Sequence, residues 1–202
     1  MRPVSEKPFV WIDTETSGLD PLVNEVIEIA IVRMNCDGTE TILSSKVRME
    51  HPENAHPRAL EVNGYSAEAW EGAPSQADLF QIIHDRGLLQ DCILAGQNVG
   101  FDAAFINATF KRLGIDARVD YHLYDTVTLA LRDLKPWLRS VSLVPVCVAL
   151  GIPTEGAHTA LADCRMAQAV DHILTTATPA QRAEWPHIVP ARLAAYEAKR
   201  KG

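Results

Sequence analysis

Residues 9–21 read FVWIDTETSGLDP, and the first part of this stretch has the pattern of a buried strand. Residues 9–12 are apolar and β-favouring, which predicts a buried strand. Asp13 and Glu15 follow, and side chains two residues apart on a strand lie on the same face. Two adjacent carboxylates repel each other and resist the loss of water. The pair therefore indicates either a site for Mg²⁺ or Mn²⁺, which prefer oxygen ligands, or a strand end with two solvated acids.

The composition is typical of one globular domain with a sizeable core. The 202 residues are 47% hydrophobic and 22% charged, and no apolar run is long enough to cross a bilayer. Residues 1–7 are polar and show no signal-peptide core. The cysteines form no CxxC pair, so we expect no zinc site, no disulfide framework and a cytoplasmic location. These cysteines are Cys36, Cys92, Cys147 and Cys164.

Three consecutive strands are predicted at the start of the chain. After the first, β patterns cover residues 25–34 and 40–47, and Asp37-Gly38 between them is a hairpin turn signal. Short turns between consecutive strands predict an antiparallel meander. Residues 51–70 have weak periodicity, so we expect a loop there with one helical turn at residues 57–62.

Helices and strands alternate through the rest of the chain. Strands are predicted at residues 92–95 and 121–124. Helices are predicted at residues 75–89 with a break at Gly87, at 101–113, 125–134, 142–150 and 159–175, and in two C-terminal segments whose first turns hold Pro179 and Pro190. This pattern predicts an α/β fold, with a mixed five-stranded sheet flanked by helices on both faces. We expect one domain over residues 1–202, with a core at about 8–176, C-terminal helices at 177–202 and a solvated basic tail at 199–201.

A second group of polar residues opens the mid-chain helix. Residues 96–102 read GQNVGFD and follow the short strand. Asp102 falls in the first turn, where the helix dipole favours a carboxylate, so it either stabilises the helix or contributes to a site. The glycines permit a close backbone approach, but their spacing fits neither the Walker loop nor the dinucleotide fingerprint.

The third group is HTALAD, residues 158–163. Five residues on a helix rotate by about 140° beyond a full turn, so His158 and Asp163 would face different ways if both were helical. They reach one site only if His158 lies on the loop before the helix and Asp163 lies about one turn inside it. A histidine beside an acid-bound metal suits a general base, because its pKa is close to neutral pH. The alternative is a surface histidine at a helix start.

Taken in order, the three groups resemble the motifs of the DEDDh 3′–5′ exonucleases, a DnaQ-like family within the ribonuclease H-like superfamily. The resemblance covers about residues 9–173. Its motifs are residues 12–19, with Ser17 where many members have threonine, residues 98–102, Asp125-Thr126, and residues 158–163. The family includes the proofreading subunit of bacterial replicative polymerase and several RNA-trimming nucleases.

The resemblance implies a metal-dependent nuclease with a ribonuclease H-like fold. It implies that four acids bind two divalent ions, Mg²⁺ or Mn²⁺, and that His158 takes the proton of the attacking water. The product would be a nucleoside 5′-monophosphate, released from a single-stranded 3′ end. The implied metal ligands, which with His158 make up the catalytic set, are Asp13, Glu15, Asp102 and Asp163.

The resemblance also implies substrate contacts beside these motifs. In this interpretation Leu19 wedges against a base, and Asn63-Gly64 is either a substrate-side loop or an ordinary turn. Core packing is the alternative for the two phenylalanines among the candidates, and loop support is the alternative for the asparagine. The candidates are Thr16, Leu19, Asn98, Phe101 and Phe105.

The net charge of −7 limits the expected affinity for nucleic acid. Cations bound to the acids would offset this charge at the site, so we expect weak, salt-sensitive binding of short single-stranded ends. The basic residues Arg132, Lys135 and Arg139 either steer phosphates or cover a solvated surface. A DNA polymerase partner or a homodimer is the expected assembly, without a membrane, and DNA and RNA stay open as substrates. A non-catalytic adaptor is the alternative, but it would lack some of the motif acids, and all of them are present.

Overall fold

A mixed five-stranded sheet lies at the centre of the protein, in a computed structural model that describes residues 3–35 and 37–201. Its strands are β1 Phe9–Thr16, β2 Val26–Met34, β3 Glu40–Lys46, β4 Ile93–Gly96 and β5 Leu123–Asp125. The order is β3-β2-β1-β4-β5; β2 is antiparallel to β1 and β3, and β4 is parallel to β1 and β5. The predicted meander and mixed sheet are confirmed. Cys36, one of the scattered cysteines, lies outside the described residues.

β1 extends past the apolar run that predicted it. Asp13 and Glu15 lie inside the strand, where they pair with Ala30 and Glu28 of β2, rather than beyond its end. Backbone pairing continues through the polar residues because both faces of the strand are still covered there, and Thr14 is buried between the two acids. The acids therefore have the fixed backbone of a central strand.

Seven α-helices surround the sheet in the described part of the chain: α1 Pro57–Val62, α2 Gln76–Asp85, α3 Val99–Leu113, α4 Thr126–Leu134, α5 Leu143–Leu150, α6 Ala160–Thr176 and α7 Pro179–Lys201. Side chains define several of their ends. Ser75 Oγ accepts the Asp78 N–H at 3.0 Å before α2, and Asp125 Oδ1 accepts the Val127 N–H at 2.9 Å before α4. Within the described residues, no helix is both long enough and apolar enough to span a membrane.

Helices pack on both faces of the sheet, as predicted. On one face, α2 and α3 cover Val10 and Ile12 of β1. On the other face, α6 covers Trp11, and α4, α5 and α7 join α6 in a further apolar layer. Because side chains alternate along a strand, Asp13 and Glu15 lie on the Trp11 face, toward α6.

The second helix is shorter than predicted. α2 ends at Asp85, and Leu88 and Leu89 reach the core from the turn that follows Gly87. Gly87 has a φ of 61°, a left-handed conformation that stops a helix. Apolar spacing alone does not separate a helical leucine from a leucine buried by a turn.

The C-terminal segment forms one helix, where two were predicted. α7 runs through Pro186 and Pro190, although an interior proline removes a helical hydrogen bond. Both prolines are exposed, whereas Trp185 and Val189 are buried against the neighbouring helices. The apolar face of α7 therefore anchors the helix across both interruptions. Residues 199–201 are the exposed last turn of this helix rather than a separate tail.

Candidate active site

Four acidic side chains from three elements share one site. β1 carries Asp13 and Glu15, while α3 and α6 carry Asp102 and Asp163 in their first turns. The charges of Asp102 and Asp163 act on both strand acids. The structure thus brings together the acids that the sequence motifs singled out.

Close packing of β4 on β1 positions α3. A Cβ atom at Gly96 would lie 2.8 Å from the Ile12 carbonyl oxygen, so only glycine fits at the end of β4. Asn98 then precedes α3 in the left-handed conformation, with a φ of 59°. This sharp turn starts the helix beside β1 and directs Asp102 at the neighbouring strand.

Asp102 is held by two hydrogen bonds from one residue. Its Oδ1 accepts from the backbone N–H of Thr14 at 2.8 Å and from the Thr14 hydroxyl at 2.7 Å. The residue is 4% exposed. Burial raises the pKa of Asp102 to about 7, although the Thr14 hydrogen bonds oppose that rise.

The other acids also hold protons more tightly than isolated carboxylates. Burial first, and then the charges of Asp102 and Asp163, raise the pKa of Asp13 well above its usual range. Burial, together with the charges of Asp163 and Glu28, raises the pKa of Glu15 to about 7. Burial also raises the pKa of Asp163, against the lowering effect of its hydrogen bond from His158. A cation bound among these groups would reverse the repulsion and release the protons.

His158 lies on the loop before α6, as its spacing from Asp163 required. Its backbone N–H donates to Asp163 Oδ1 at 3.2 Å, and its φ of 70° is left-handed. The residue is exposed. One potential ligand atom from each of Glu15, His158 and Asp163 lies within 4.8 Å of the others. This is a spacing at which three groups can bind one ion.

Glu28 is a fifth acid at the site, and sequence reasoning missed it. It pairs with Glu15 across β1 and β2, and its charge raises the pKa of Asp13, Glu15 and Asp163. Its Oε1 also accepts the Ala160 N–H at 3.1 Å, at the start of α6. The signal that could have found it is the register of the hairpin, which places Glu28 beside Glu15.

Two clefts meet at the acid cluster. The first has a volume of about 710 Å³, and Glu15, Leu19 and Phe101 are among its lining residues. The second has a volume of about 850 Å³ and is lined on one side by Asp13, His158 and Asp163. The acids therefore stand between two concave surfaces, each with access to a different part of the cluster.

The predicted substrate contacts fall into three groups. Thr16, Leu19 and Phe101 line the first cleft, although the Thr16 hydroxyl donates to the Gly18 carbonyl at 2.6 Å. Asn98 is exposed and lines the second cleft. Phe105 is 1% exposed and belongs to the core beneath Phe101, so the prediction of a direct contact there is wrong.

The loop after α1 borders the first cleft, and two residues of the basic run form surface ion pairs. Asn63 Nδ2 donates to the Thr16 carbonyl at 2.9 Å, and Asn63 also lines the first cleft. Arg132 pairs with Asp133 at 2.7 Å, and Arg139 pairs with Glu197 at 3.4 Å. These ion pairs favour the interpretation of the basic run as surface over phosphate steering.

Comparison with known proteins gives the family. Residues 10–170 match the exonuclease family of ribonuclease T, and the chain belongs to that family. The PolC-type DNA polymerase III of Thermotoga maritima is 33% identical over 159 residues, which are 78% of this chain and 11% of that protein. Ribonuclease T of Haemophilus influenzae is 31% identical over 172 residues, which are 76% of this chain and 73% of that protein. The chain thus spans only a small part of the length of the polymerases it matches.

Solved structures share the fold. Escherichia coli exonuclease I in complex with a dT13 oligonucleotide superposes with a TM-score of 0.69 at 21% identity, over 86% of this chain and 42% of that one. Exonuclease I from Methylocaldum szegediense gives a TM-score of 0.69 at 22% identity, over 87% of this chain and 42% of that one. The predicted ribonuclease H-like fold and the resemblance to DnaQ-like exonucleases are confirmed. The histidine subtype stays a prediction.

Proposed function

We propose that this protein is a 3′–5′ exonuclease that depends on divalent cations and hydrolyses single-stranded 3′ ends to nucleoside 5′-monophosphates. The observation that carries the proposal is the convergence of Glu15, His158 and Asp163, with ligand atoms within 4.8 Å of one another. Asp13 and Asp102 add carboxylates whose pKa values are raised by burial at the same site. Membership of the exonuclease family supports the assignment.

The carboxylates fit a pair of divalent cations. In the described ranges, no lysine or arginine forms an ion pair with any of the motif acids, so the protein itself does not neutralise them. Mg²⁺ or Mn²⁺ held there would supply positive charge at the scissile phosphate and a bound water of lowered pKa. The proposed ligands are Asp13, Glu15, Asp102 and Asp163.

His158 is the proposed general base. Its imidazole is exposed on a loop that borders the acids, so it can take a proton from the attacking water and pass it to solvent. The bond from the His158 N–H to Asp163 Oδ1 ties the base to a proposed metal ligand. This bond positions the backbone of the loop that carries the imidazole.

The first cleft is the proposed pocket for the terminal nucleoside. Leu19 is 82% exposed at its edge, where a leucine can wedge against a base, and Phe101 offers an aromatic face. Thr16, at the end of β1, lines the same cleft, and Asn98 borders the second cleft. Each of these contacts is a proposal. Substituting the residue tests it, because the loss of a substrate contact should raise KM.

Single-stranded DNA is the first substrate to test, in a proofreading or repair reaction. The PolC-type relative is a DNA polymerase, and the superposed exonuclease I was solved with dT13. RNA trimming is a second candidate, because the match to ribonuclease T covers 73% of that protein. A polymerase partner would accompany the first activity, and a homodimer is the alternative assembly.

We further propose that residues 1–202 form a single exonuclease domain, with its core at about 8–176. Cys92, Cys147 and Cys164 are free and buried, which agrees with the expected cytoplasmic location.

A test of the function uses 5′-labelled decamers of DNA and RNA with matched sequence. The expected result is a ladder of products shortened from the 3′ end, with nucleoside 5′-monophosphates released, in Mg²⁺ or Mn²⁺ and not in EDTA. Asp163→Asn should abolish the ladder, whereas Asp116→Asn, at an exposed acid that lines neither cleft, should preserve it. Full activity in Asp163→Asn, or cleavage that starts inside the strand, would contradict the proposal.

A further inference from the structure

The last helix contributes to the second cleft, although it lies outside the part of the chain that matches the exonuclease family. The family match covers residues 10–170, and α7 begins at Pro179. Tyr196 and Arg200 of α7 nevertheless line the cleft that Asp13 also lines. This helix therefore gives the cleft a wall that the family match does not account for.

α7 is fixed by its apolar face and by one arginine. Trp185 and Val189 are buried in the layer formed with α5. Arg192 Nη1 donates to the Ala149 carbonyl at 3.1 Å, near the C-terminal end of α5. Farther along α7, Tyr196 shares the second cleft with Ser142, which precedes α5. The helix thus passes along α5 and brings its final turns to the cleft.

Helical periodicity explains why Arg200 faces the cleft. Arg200 follows Val189 by eleven residues, which is about three full turns of an α-helix. The two side chains therefore lie on one stripe, whose earlier part is anchored on α5. Lys199, one residue earlier, is displaced by about 100° and does not line the cleft.

The guanidinium of Arg200 contacts an aromatic ring but is not neutralised. Its Cζ lies 5.6 Å from the centre of the Tyr196 ring, a cation–π contact that leaves its charge in place. No carboxylate forms an ion pair with Arg200 among residues 3–35 and 37–201, and nearby Glu197 pairs with Arg139 instead. Arg200 is also the one lysine or arginine among the described residues that line this cleft.

The two clefts differ in what they can bind. A scissile phosphate at the acids has the terminal nucleoside on its 3′ side and the rest of the strand on its 5′ side. The first cleft has Leu19 and Phe101 for a base, and it ends at Glu15. The second cleft has Arg200 together with the exposed hydroxyls of Ser140 and Ser142, which suit the phosphates of a continuing strand.

We propose that Arg200, supported by Tyr196, binds a phosphodiester of the substrate strand on the 5′ side of the scissile bond. This proposal rests on the proposed exonuclease function. α7 is then a substrate-binding element, and the chain selects oligonucleotides over substrates with a single phosphate. The ligand class is a single-stranded oligonucleotide, recognised through its backbone rather than its bases.

The test compares a strand with a substrate that has no further phosphates. Arg200→Ala should raise the KM for a dT10 oligonucleotide roughly tenfold with little change in kcat, as expected for one charge-assisted phosphate contact. The increase in KM that Arg200→Ala causes for thymidine 5′-(p-nitrophenyl phosphate), which has one phosphodiester, should be at least several-fold smaller. Arg200→Lys should raise the KM for dT10 less than Arg200→Ala does. Lys199→Ala should keep the KM for both substrates within about twofold of the parent's value.

Binding without cations gives a second readout. Fluorescence anisotropy of labelled dT10 in EDTA should show weaker binding for Arg200→Ala, and its plot of log affinity against log salt should be shallower by about 0.7, the value for one phosphate on a single strand. An equal increase in KM for both substrates, or an unchanged slope of log affinity against log salt, would overturn the proposal. If the parent protein cleaves neither substrate, the proposed function fails, and the salt slope still decides whether Arg200 binds the strand.

Discussion

Glu28 Oε1 accepts a hydrogen bond from the Ala160 N–H, at a distance of 3.1 Å. Ala160 is the first residue of α6, and Thr159 before it makes no side-chain cap of its own. A residue of β2 therefore caps the helix that carries Asp163, and the carboxylate is favourably placed at the positive end of the helix dipole. The sheet thereby fixes the position of the loop with His158 as well.

We expect the cap at Glu28 to contribute to both stability and turnover. Glu28→Ala should have a free energy of unfolding about 1 kcal/mol below that of Glu28→Gln, because both variants remove the charge but only alanine removes the capping oxygen, and it should lower kcat because α6 is less firmly placed. Glu28→Gln keeps an acceptor oxygen and should retain most of both quantities. Urea unfolding and initial rates measure the two effects. Equal losses in the two variants would show that charge, and not the hydrogen bond, is what matters.

The acid cluster should lower the stability of the protein when no cation is bound. Asp13→Asn removes a carboxyl group whose ionisation is opposed by burial and by the neighbouring acids, so at pH 7.5 in EDTA it should raise Tm, while abolishing activity. The Tm increase that Mn²⁺ produces should become smaller in the same variant, because a proposed ligand is lost. Asp116→Asn is the matched control, as its acid is exposed. A lower Tm for Asp13→Asn in EDTA would contradict this account of the cluster.

Stability without cations should fall as pH rises. The pKa of Glu15 is raised from 4.5 to about 7, so between these values the native protein binds more protons than the unfolded chain. The free energy of unfolding therefore decreases through this range and levels off above it, and the raised pKa of Asp102 acts in the same direction. Thermal unfolding in EDTA from pH 4.5 to pH 8 measures the trend.

Mn²⁺ should reverse that trend. The ion competes with protons for the same carboxylates, so it should raise Tm more at pH 7.5 than at pH 5. A Tm increase that is the same at both pH values would place the bound ion elsewhere.

His158→Asn should separate catalysis from cation binding. Asparagine tolerates the left-handed backbone at this position, where φ is 70°, so the variant removes the imidazole without straining the loop. We expect kcat to fall by about 10²–10⁴-fold, the usual range for loss of a general base. The Mn²⁺ affinity measured by calorimetry should stay close to that of the parent.

His187→Asn, in an exposed position on α7, serves as the control for that experiment. Unchanged turnover in His158→Asn would remove His158 as the base. A large loss of Mn²⁺ affinity would instead make His158 a ligand, which its closeness to Glu15 and Asp163 permits.

Local patterns in the sequence predicted the sheet, and the resemblance to the DEDDh family implied that the motif acids share one site. Alternation along β1 places Asp13 and Glu15 on one face, and the spacing of His158 from Asp163 requires a loop before α6. The structure agrees with each of these inferences. Their catalytic roles stay predictions.

Long-range packing decided what the sequence did not predict. Phe101 and Phe105 lie one helical turn apart on α3. Helical periodicity does not distinguish Phe101, which reaches a cleft, from Phe105, which is fully buried. Glu28 joins the site only through the register of β2 with β1. Arg200 reaches the second cleft because α7 stays helical past Pro190, against the local preference of proline.

Diffraction from crystals soaked in Mn²⁺, recorded at the manganese absorption edge, tests the central claim most directly. The account predicts two anomalous peaks among the carboxylates of Asp13, Glu15, Asp102 and Asp163, about 3.5–4 Å apart. It also predicts that Asp163→Asn loses at least one of them. Crystals of active protein with no peak at these carboxylates would contradict the account.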